Sequence, residues 1–209
     1  MTEKECDYHQ DEEERARRRI GAAVLGLLVA AAVVIFLVWA ILHPHGPRFV
    51  LQDATIYAFN VSQPNFLTSN LQVTVSSRNP NDKIGIFYDH LDIYASYRNQ
   101  QVTLATILPA TYQGHLDMTV WSPFLYGTTV PVAPYLTAAM MQDLNTGMIL
   151  LNVKIDGWVR WKVGTWISGR YRLHVNCPAY ITFAAGGSSS SSAAAVVKYQ
   201  LLQRCAVDV

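Results

Sequence analysis

The stretch ILLNVKID, residues 149–156, carries the pattern that decides the fold. Its odd-numbered positions are all apolar, whereas three of its four even-numbered positions are polar. Successive side chains of a β-strand point to opposite faces of the sheet. The alternation therefore predicts a strand with one face buried and the other in water.

The same alternation recurs on both sides of this stretch, in residues 71–76 and 171–177. Less regular patterns predict further strands at 49–59, 84–97, 101–107, 112–121 and 196–205. Residues 133–145 differ, because their apolar side chains recur at helical spacing and Gly147 follows. We therefore expect a mainly β fold: a seven- to eight-stranded antiparallel β-sandwich, immunoglobulin/fibronectin-like, with one short helix covering an open end. The Gly/Ser/Ala-rich residues 186–195 are predicted to form a flexible loop between the last strands.

The N-terminal part of the chain has a different character. Residues 20–42 form a run of 23 residues without a charged or strongly polar side chain. A helix of this length reaches roughly 34 Å, which exceeds the bilayer's hydrocarbon core of about 30 Å. The apolar stretch of a cleaved signal peptide usually has only about 7–15 residues. We therefore predict an uncleaved transmembrane signal-anchor.

Basic residues near this run predict its orientation. Five Lys/Arg residues precede it, and Arg48 is the only one among the twenty residues that follow it. Basic flanks stay on the cytosolic side. We therefore expect residues 1–19 to be a disordered cytosolic tail, 43–48 to be a stalk, and 49–209 to be an extracytoplasmic β-sandwich domain. The expected location is the plasma membrane, with the endomembrane system as the alternative.

The run also contains a stripe of small residues. Ala22, Gly26 and Ala30 recur at every fourth position and therefore share one face of the helix. Small side chains at this spacing allow two helices to approach closely. The stripe is a candidate helix-dimer face, although alanine-rich spans also produce this spacing by chance.

The predicted topology permits two modifications outside the cytosol. Asn60-Val-Ser62 is an acceptor triplet for N-glycosylation, and such a triplet is used only on that side of the membrane. Cys177 and Cys205 form an even pair in an oxidising compartment. We predict a disulfide that joins the two last strands; the alternative is two buried thiols.

Charge and motifs exclude several classes of function. The part of the chain after residue 42 has eleven Lys/Arg, eight Asp and no Glu, a balance of +3 that is too weak to indicate nucleic-acid binding. The sequence has no Gly-x-Ser-x-Gly motif, no phosphate-binding loop and no zinc spacing, and its histidines are scattered. We expect a protein that is not an enzyme and has no cofactor or metal. The expected partners are the lipid bilayer and unidentified proteins, in a homo- or hetero-oligomer.

Three further stretches carry a family resemblance. They are Asn79-Pro-Asn-Asp-Lys-Ile-Gly-Ile-Phe-Tyr-Asp89, Tyr112-Gln-Gly-His115, and Val159-Arg-Trp-Lys-Val-Gly-Thr-Trp166 continuing to Val175-Asn-Cys-Pro178. Together with the N-terminal anchor, they resemble the plant harpin-induced-like (NHL) membrane proteins. The resemblance implies a late-embryogenesis-abundant group-two domain, an all-β sandwich outside a plant membrane. It also implies a role in defence or stress responses without enzymatic activity.

Two features bear on how such a domain would act. Trp158, Arg160 and Lys162 share one face of a predicted strand and form a possible ligand face for a glycan or an anionic headgroup. The other interpretation is that these residues hold one another in place by cation–π contacts. An exposed apolar patch near Trp121–Tyr126 would favour a membrane-tethered recognition component, whereas a fully polar outer surface would favour a structural protein that protects membranes under stress.

Overall fold

The computed structural model describes the backbone of residues 3–41, 45–62, 64–182 and 197–209. Side chains are described for residues 17–36, 45–62, 64–182 and 202–209. The chain divides into two compact units, residues 1–43 and 44–209. The predicted flexible loop at 186–195 lies outside the described residues.

The first unit is a single helix, α1 (Glu3–Ile41). Its described part Arg17–Phe36 is the only helix among the described residues that is long and apolar enough to cross a bilayer, and none of that segment is buried against protein. The prediction of a disordered tail is wrong, because the helix already begins at Glu3. The residues before the apolar run are rich in Glu and Arg, which are good helix formers.

The second unit consists of two antiparallel sheets and one helix. In chain order its elements are β1 (Arg48–Ser62), β2 (Phe66–Arg78), β3 (Ile84–Tyr97), β4 (Gln100–Gln101), β5 (Thr106–Leu108), β6 (Thr111–Gln113), β7 (Met118–Trp121), β8 (Phe124–Pro131), α2 (Pro134–Asn145), β9 (Met148–Val163), β10 (Trp166–Ile167), β11 (Tyr171–Thr182), β12 (Val197–Arg204) and β13 (Ala206–Asp208). The five-stranded sheet has the order β12-β1-β2-β7, and β8 also pairs with β2. The eight-stranded sheet has the order β13-β11-β9-β3-β4; β10 pairs with β9, and β5 and β6 pair with β3.

The core lies between the two sheets and confirms the alternation seen in the sequence. The stretch that opens β9 buries Ile149, Leu151, Val153 and Ile155 and leaves the residues between them partly or fully exposed. Aromatic rings join the sheets: Phe49 on β1 stacks on Trp121, and the ring of Tyr88 on β3 meets both edge-on. Burial of these apolar faces is the main stabilising contribution to such a fold.

The predicted strand count agrees with the longer strands only. Eight of the thirteen described strands have four or more residues, and the other five have two or three. Two predicted strands are each divided. The segment 101–107 is interrupted because Val102 and Thr103 turn inward, where both bond to the backbone of Ala95. The segment 112–121 is interrupted at Gly114–Asp117, so that β6 joins one sheet and β7 the other.

The predicted helix is confirmed as α2. Its side chains Leu136 and Met140 are buried, and its Asp143 accepts a hydrogen bond of 2.6 Å from the phenol of Tyr97 at the end of β3. At the end of the predicted stalk, Pro47 is buried and β1 begins at Arg48.

Candidate functional site

An ion pair connects two strands on the outer face of the eight-stranded sheet. Arg160 on β9 donates two hydrogen bonds to Asp89 on β3, at 2.7 Å from Nε and 2.6 Å from Nη2. Arg170 approaches the same carboxylate at 3.5 Å. A bidentate arginine–carboxylate pair fixes both side chains. Arg160 is therefore occupied within the protein rather than pointing freely at a ligand.

Lys162 on the same face lies over two aromatic rings. Its Nζ is 5.1 Å from the ring centre of Tyr112 on β6 and 5.8 Å from that of Phe87 on β3. The two rings are themselves 4.6 Å apart. Gly85 makes this arrangement possible, because a Cβ at that position would collide with the ring of Tyr112. Together these residues form an aromatic platform with a cation above it.

Trp158 has a different partner from the one expected. The guanidinium of Arg172 on the neighbouring β11 lies 5.4 Å from the Trp158 ring centre, whereas the guanidinium of Arg160 is 5.5 Å from the ring of Phe87. The predicted stack of Trp158 on its own strand's cations is therefore replaced by contacts across strands. Such pairs stabilise a sheet face. A ligand-binding role for Trp158, Arg160 and Lys162 stays a prediction.

The Asn79-Pro-Asn81 turn connects β2 to β3 and is built around a buried side chain. The amide of Asn79 donates to the carbonyl oxygens of Ile84 and Gly114, at 2.7 and 2.8 Å. Its Oδ1 accepts the backbone N–H of Asn81 at 3.0 Å, which is an Asx turn. The turn is thus a structural corner between two strands, and the side chains of both buried asparagines are hydrogen-bonded.

Asn81 extends this corner to the point where the chain enters the domain. Its Oδ1 accepts the backbone N–H of His45 at 2.9 Å, and its Nδ2 donates to the His45 carbonyl at 2.8 Å. The two bonds connect the start of the domain to the β2–β3 turn. They hold His45, which lies within the predicted stalk, against the sandwich.

The Tyr-Gln-Gly motif places a second buried amide between the sheets. Gln113 donates to the carbonyl oxygens of Ser77 and Asp117, at 2.7 and 3.1 Å, and accepts from the phenol of Tyr88 at 2.9 Å. Burial raises the pKa of Tyr88, although a hydrogen bond with Ser77 opposes the effect. The phenol therefore stays protonated and available as a donor.

Three aromatic side chains are exposed on the outer face of the five-stranded sheet. Phe124 and Tyr126 on β8 stack at 6.0 Å, and Tyr57 on β1 lies 5.9 Å from Phe124. They are 37–50% exposed, whereas Trp121 at the end of β7 and Leu125 on β8 are buried. Leu104 and Ile107 are also exposed, each at 65%. Because exposed aromatic residues are enriched where proteins bind one another, this aromatic patch (Tyr57, Phe124 and Tyr126) is a candidate binding surface.

Comparison with known proteins identifies the family of this chain. The family model described as late embryogenesis abundant protein matches residues 74–178. NDR1/HIN1-like protein 1 of Arabidopsis thaliana is 51% identical over 208 residues, covering 99% of this chain and 100% of that protein. The chain belongs to the NDR1/HIN1-like family.

A second relative is as similar in sequence, and one solved structure is much less similar. NDR1/HIN1-like protein 12 of Arabidopsis thaliana is 50% identical over the whole of both chains. The solution structure of a putative late embryogenesis abundant protein covers 79% of this chain and 86% of that one, with 16% identity and a TM-score of 0.33. The family name connects the chain to plant stress and defence, and its N-terminal apolar helix fits a single-pass membrane protein.

Cys177 and Cys205 form a disulfide within this NDR1/HIN1-like domain. Cys177 is a buried residue of β11, and Cys205 is the single residue between β12 and β13. The bond therefore connects β11 to the end of β12, the two segments that the sequence analysis took as the last strands, and the short β13 follows Cys205. It fixes the point where the chain leaves the five-stranded sheet and enters the eight-stranded one.

The other predicted sites have exposed positions. Asn60 lies near the end of β1 with its side chain exposed, as a glycan requires. Ala22, Gly26 and Ala30 are exposed on α1, and a Cβ at Gly26 would meet no atom within 4 Å. Glycosylation and helix dimerisation stay predictions.

Among the described residues, no group of three or more His, Cys, Asp or Glu side chains could hold a metal ion.

Sequence reasoning missed the Asp89–Arg160 pair, and of the aromatic patch it named only the segment Trp121–Tyr126, without Tyr57. Asp89 is 71 residues from Arg160, and a register shift between Tyr88 and His90 determines where Asp89 points. The patch depends on Tyr57 reaching Phe124 across β2. The sequence did contain a signal: aromatic side chains at 124 and 126 flank the aliphatic Leu125. In a strand the two aromatic residues would share one face and Leu125 would lie on the other.

Proposed function

We propose that this protein is a single-pass component of the plant plasma membrane, with its N-terminus in the cytosol and a non-catalytic β-sandwich outside. The domain acts in defence or stress responses by binding a partner protein at the membrane or the adjoining wall. The family membership supports the biological setting. The exposed apolar helix supports anchoring, because the run of 23 residues at 20–42, which has no charged side chain, would carry a large unfavourable hydration free energy in water.

The observation that carries the binding role is the aromatic patch. A protein whose domain only coated or spaced a membrane would need a polar surface, and exposed rings would favour its aggregation. The aromatic patch is instead a contiguous surface of three rings. One of its hydroxyls is already hydrogen-bonded, because the phenol of Tyr57 donates to the side chain of Gln72 at 2.9 Å. Rigid aromatic side chains of this kind supply contact area at a small loss of conformational entropy.

Proximity labelling tests this proposal. A labelling enzyme fused after residue 209 of the full chain would mark neighbouring proteins in plant cells with and without pathogen challenge. The variant Phe124→Ser with Tyr126→Ser removes the two stacked rings, whereas Tyr135→Ser with Met141→Ser removes exposed apolar side chains from α2. We expect the first variant to lose specific neighbours that the second retains.

Two results would contradict the proposal. Equal labelling in both variants would remove the patch as the binding surface and favour the alternative, a structural protein that stabilises the membrane under stress. Labelling of cytosolic proteins by the same fusion would reverse the proposed orientation. Glycan and lipid arrays with Trp158→Ala plus Arg160→Ala test the separate ligand face on the other sheet.

A further inference from the structure

One end of the β-sandwich gathers the entry of the chain, three turns and the last residues. His45 is bonded to Asn81 in the β2–β3 turn, and the backbone N–H of Leu116 in the β6–β7 turn donates to the Asn81 carbonyl at 3.0 Å. Ile84 at the start of β3 pairs with Val163, which opens the β9–β10 hairpin. Gly46, Pro47, Trp161, Tyr171, Val207 and Val209 line an open pocket of about 430 Å³ at this same end. We call these turns and the pocket rim the entry end.

The entry end exposes apolar side chains at its tips. They are Leu116 (56% exposed), Met118 (58%), Trp166 (63%), Ile167 (42%) and Tyr171 (48%). Leu116 has a positive φ of 55°, a backbone conformation that is unfavourable for a leucine. Polar residues such as Asn would suit that turn better in water. The turn therefore carries an apolar side chain at a position where folding alone favours a polar one.

The sequence around these tips also carries basic residues. Within residues 45–48, 78–83, 114–118, 164–172 and 205–209, five Lys/Arg residues stand against three Asp. Trp and Tyr beside Lys and Arg are the side chains that collect at the interface between a bilayer and water. Cationic side chains add attraction to anionic headgroups.

Covalent connectivity limits the distance between this end and the anchor. Only four Cα–Cα steps separate Ile41, the end of α1, from His45. Each step is at most about 3.8 Å, so the span is at most roughly 15 Å. If the helix crosses the bilayer, the entry end cannot be far from the membrane surface, whatever the orientation of the domain.

We propose that the entry end docks on the lipid bilayer that holds α1, with Leu116, Trp166 and Ile167 entering the interfacial region. This inference rests on the membrane anchoring in the proposed function. It adds that the domain has a fixed orientation on the membrane. That orientation leaves the outer faces of both sheets, including the aromatic patch, open to a partner.

Site-directed spin labelling of the full chain in vesicles tests the docking. Cys6→Ser removes the cysteine outside the disulfide, and Thr165→Cys places a nitroxide label at the exposed tip of the β9–β10 hairpin. Met141→Cys, on α2 at the opposite end, is the control position. In phosphatidylcholine vesicles the label at position 165 should be more accessible to oxygen, and less accessible to a water-soluble nickel quencher, than the label at position 141. The label at position 141 should stay in water. Adding phosphatidylserine should strengthen the difference, because the entry end has more Lys/Arg than Asp residues.

Two triple variants separate docking from folding. Leu116→Ser, Trp166→Ser and Ile167→Ser together should return the Thr165 label to aqueous accessibility. Leu104→Ser, Ile107→Ser and Tyr135→Ser remove comparably exposed side chains elsewhere and should leave the label in lipid. Circular dichroism checks that both triple variants are folded. If either spectrum differs from that of the parent, the single variants Trp166→Ser and Leu104→Ser are compared instead.

The outcomes distinguish this inference from the proposed function. Resistance of the chain to alkaline carbonate extraction reports the anchoring by α1. A chain that resists extraction but has an aqueous Thr165 label would overturn the docking alone. A chain that carbonate removes from the vesicles would overturn both. An unchanged lipid contact after the first triple variant would show that the named side chains do not dock.

Discussion

The side chain of Asn81 pairs with the backbone of His45 as a strand partner would, because it accepts from the N–H and donates to the carbonyl of the same residue. Asn79 in turn accepts from both the backbone and the side chain of Asn81. The turn between β2 and β3 thereby fixes the first described residue of the domain. It is a structural junction rather than a ligand site.

Asn81→Ala should lower the free energy of unfolding by about 1–3 kcal/mol, because it leaves buried hydrogen-bonding groups without partners. Asp82→Ala changes an exposed neighbour and should alter stability by less than about 0.5 kcal/mol. Denaturant titrations of both variants compare the two values. Equal small changes would mean that solvent replaces Asn81 at the junction. Faster amide exchange at His45 in Asn81→Ala alone would locate the effect.

Gly157 on β9 is enclosed by the neighbouring strand. A Cβ at this position would collide with the carbonyl oxygen of His90 and with Leu91, where the pairing of β3 with β9 shifts register. Gly157→Ala should therefore destabilise the domain by about 1–3 kcal/mol, as overpacking does. Gly169→Ala is the matched control, because an added Cβ there would meet no atom within 4 Å. Similar melting temperatures for both variants would contradict the close approach.

The disulfide closes a loop of 28 residues between Cys177 and Cys205. In the chain-entropy description a loop of that length contributes about 3–4 kcal/mol by restricting the unfolded chain. Cys177→Ala with Cys205→Ala should lower stability by that amount, and Cys6→Ser should not change it. Denaturant midpoints with and without reductant give the measurement. A reductant effect that persists in the double variant would show that another group is responsible.

The long strands, the helix α2 and the cysteine pair could be predicted because each leaves a local or compositional signal. Alternation identifies β9, and helical spacing of apolar residues identifies α2. The contacts that shape the outer faces depend on register between distant strands. The bulge at Asp89, between Tyr88 and His90, brings this carboxylate to Arg160, and no local pattern in the sequence encodes it.

The division of residues 112–121 has the same kind of cause. Gln113 belongs to one sheet and Met118 to the other, because the turn between them is bonded to Asn79 and Asn81. A leucine with positive φ lies in that turn, whereas glycine or asparagine usually marks such a position. Sequence reasoning therefore read a continuous strand across the break.

Two tyrosines of β3, the half-buried Tyr94 and the buried Tyr97, predict sensitivity to alkaline pH. Burial, followed by hydrogen bonds to Asp156 and Asp143, raises the pKa of Tyr94 and of Tyr97 from 10.0 to about 12. The folded state therefore holds these phenol protons more tightly than the unfolded state does. Their contribution to stability is complete below pH 10 and is lost as the pH rises towards about 12.

Tyr94→Phe and Tyr97→Phe each remove one of these groups. We expect each variant to flatten the fall of the unfolding free energy between pH 10 and about 12, and the double variant to flatten it further. Denaturant titrations across that interval measure the slope, and the phenolate absorbance of the parent follows ionisation directly. A parent whose stability stays constant up to pH 12 would show that Asp156 and Asp143 do not hold the two phenol protons. A variant slope equal to that of the parent would assign the alkaline transition to other groups.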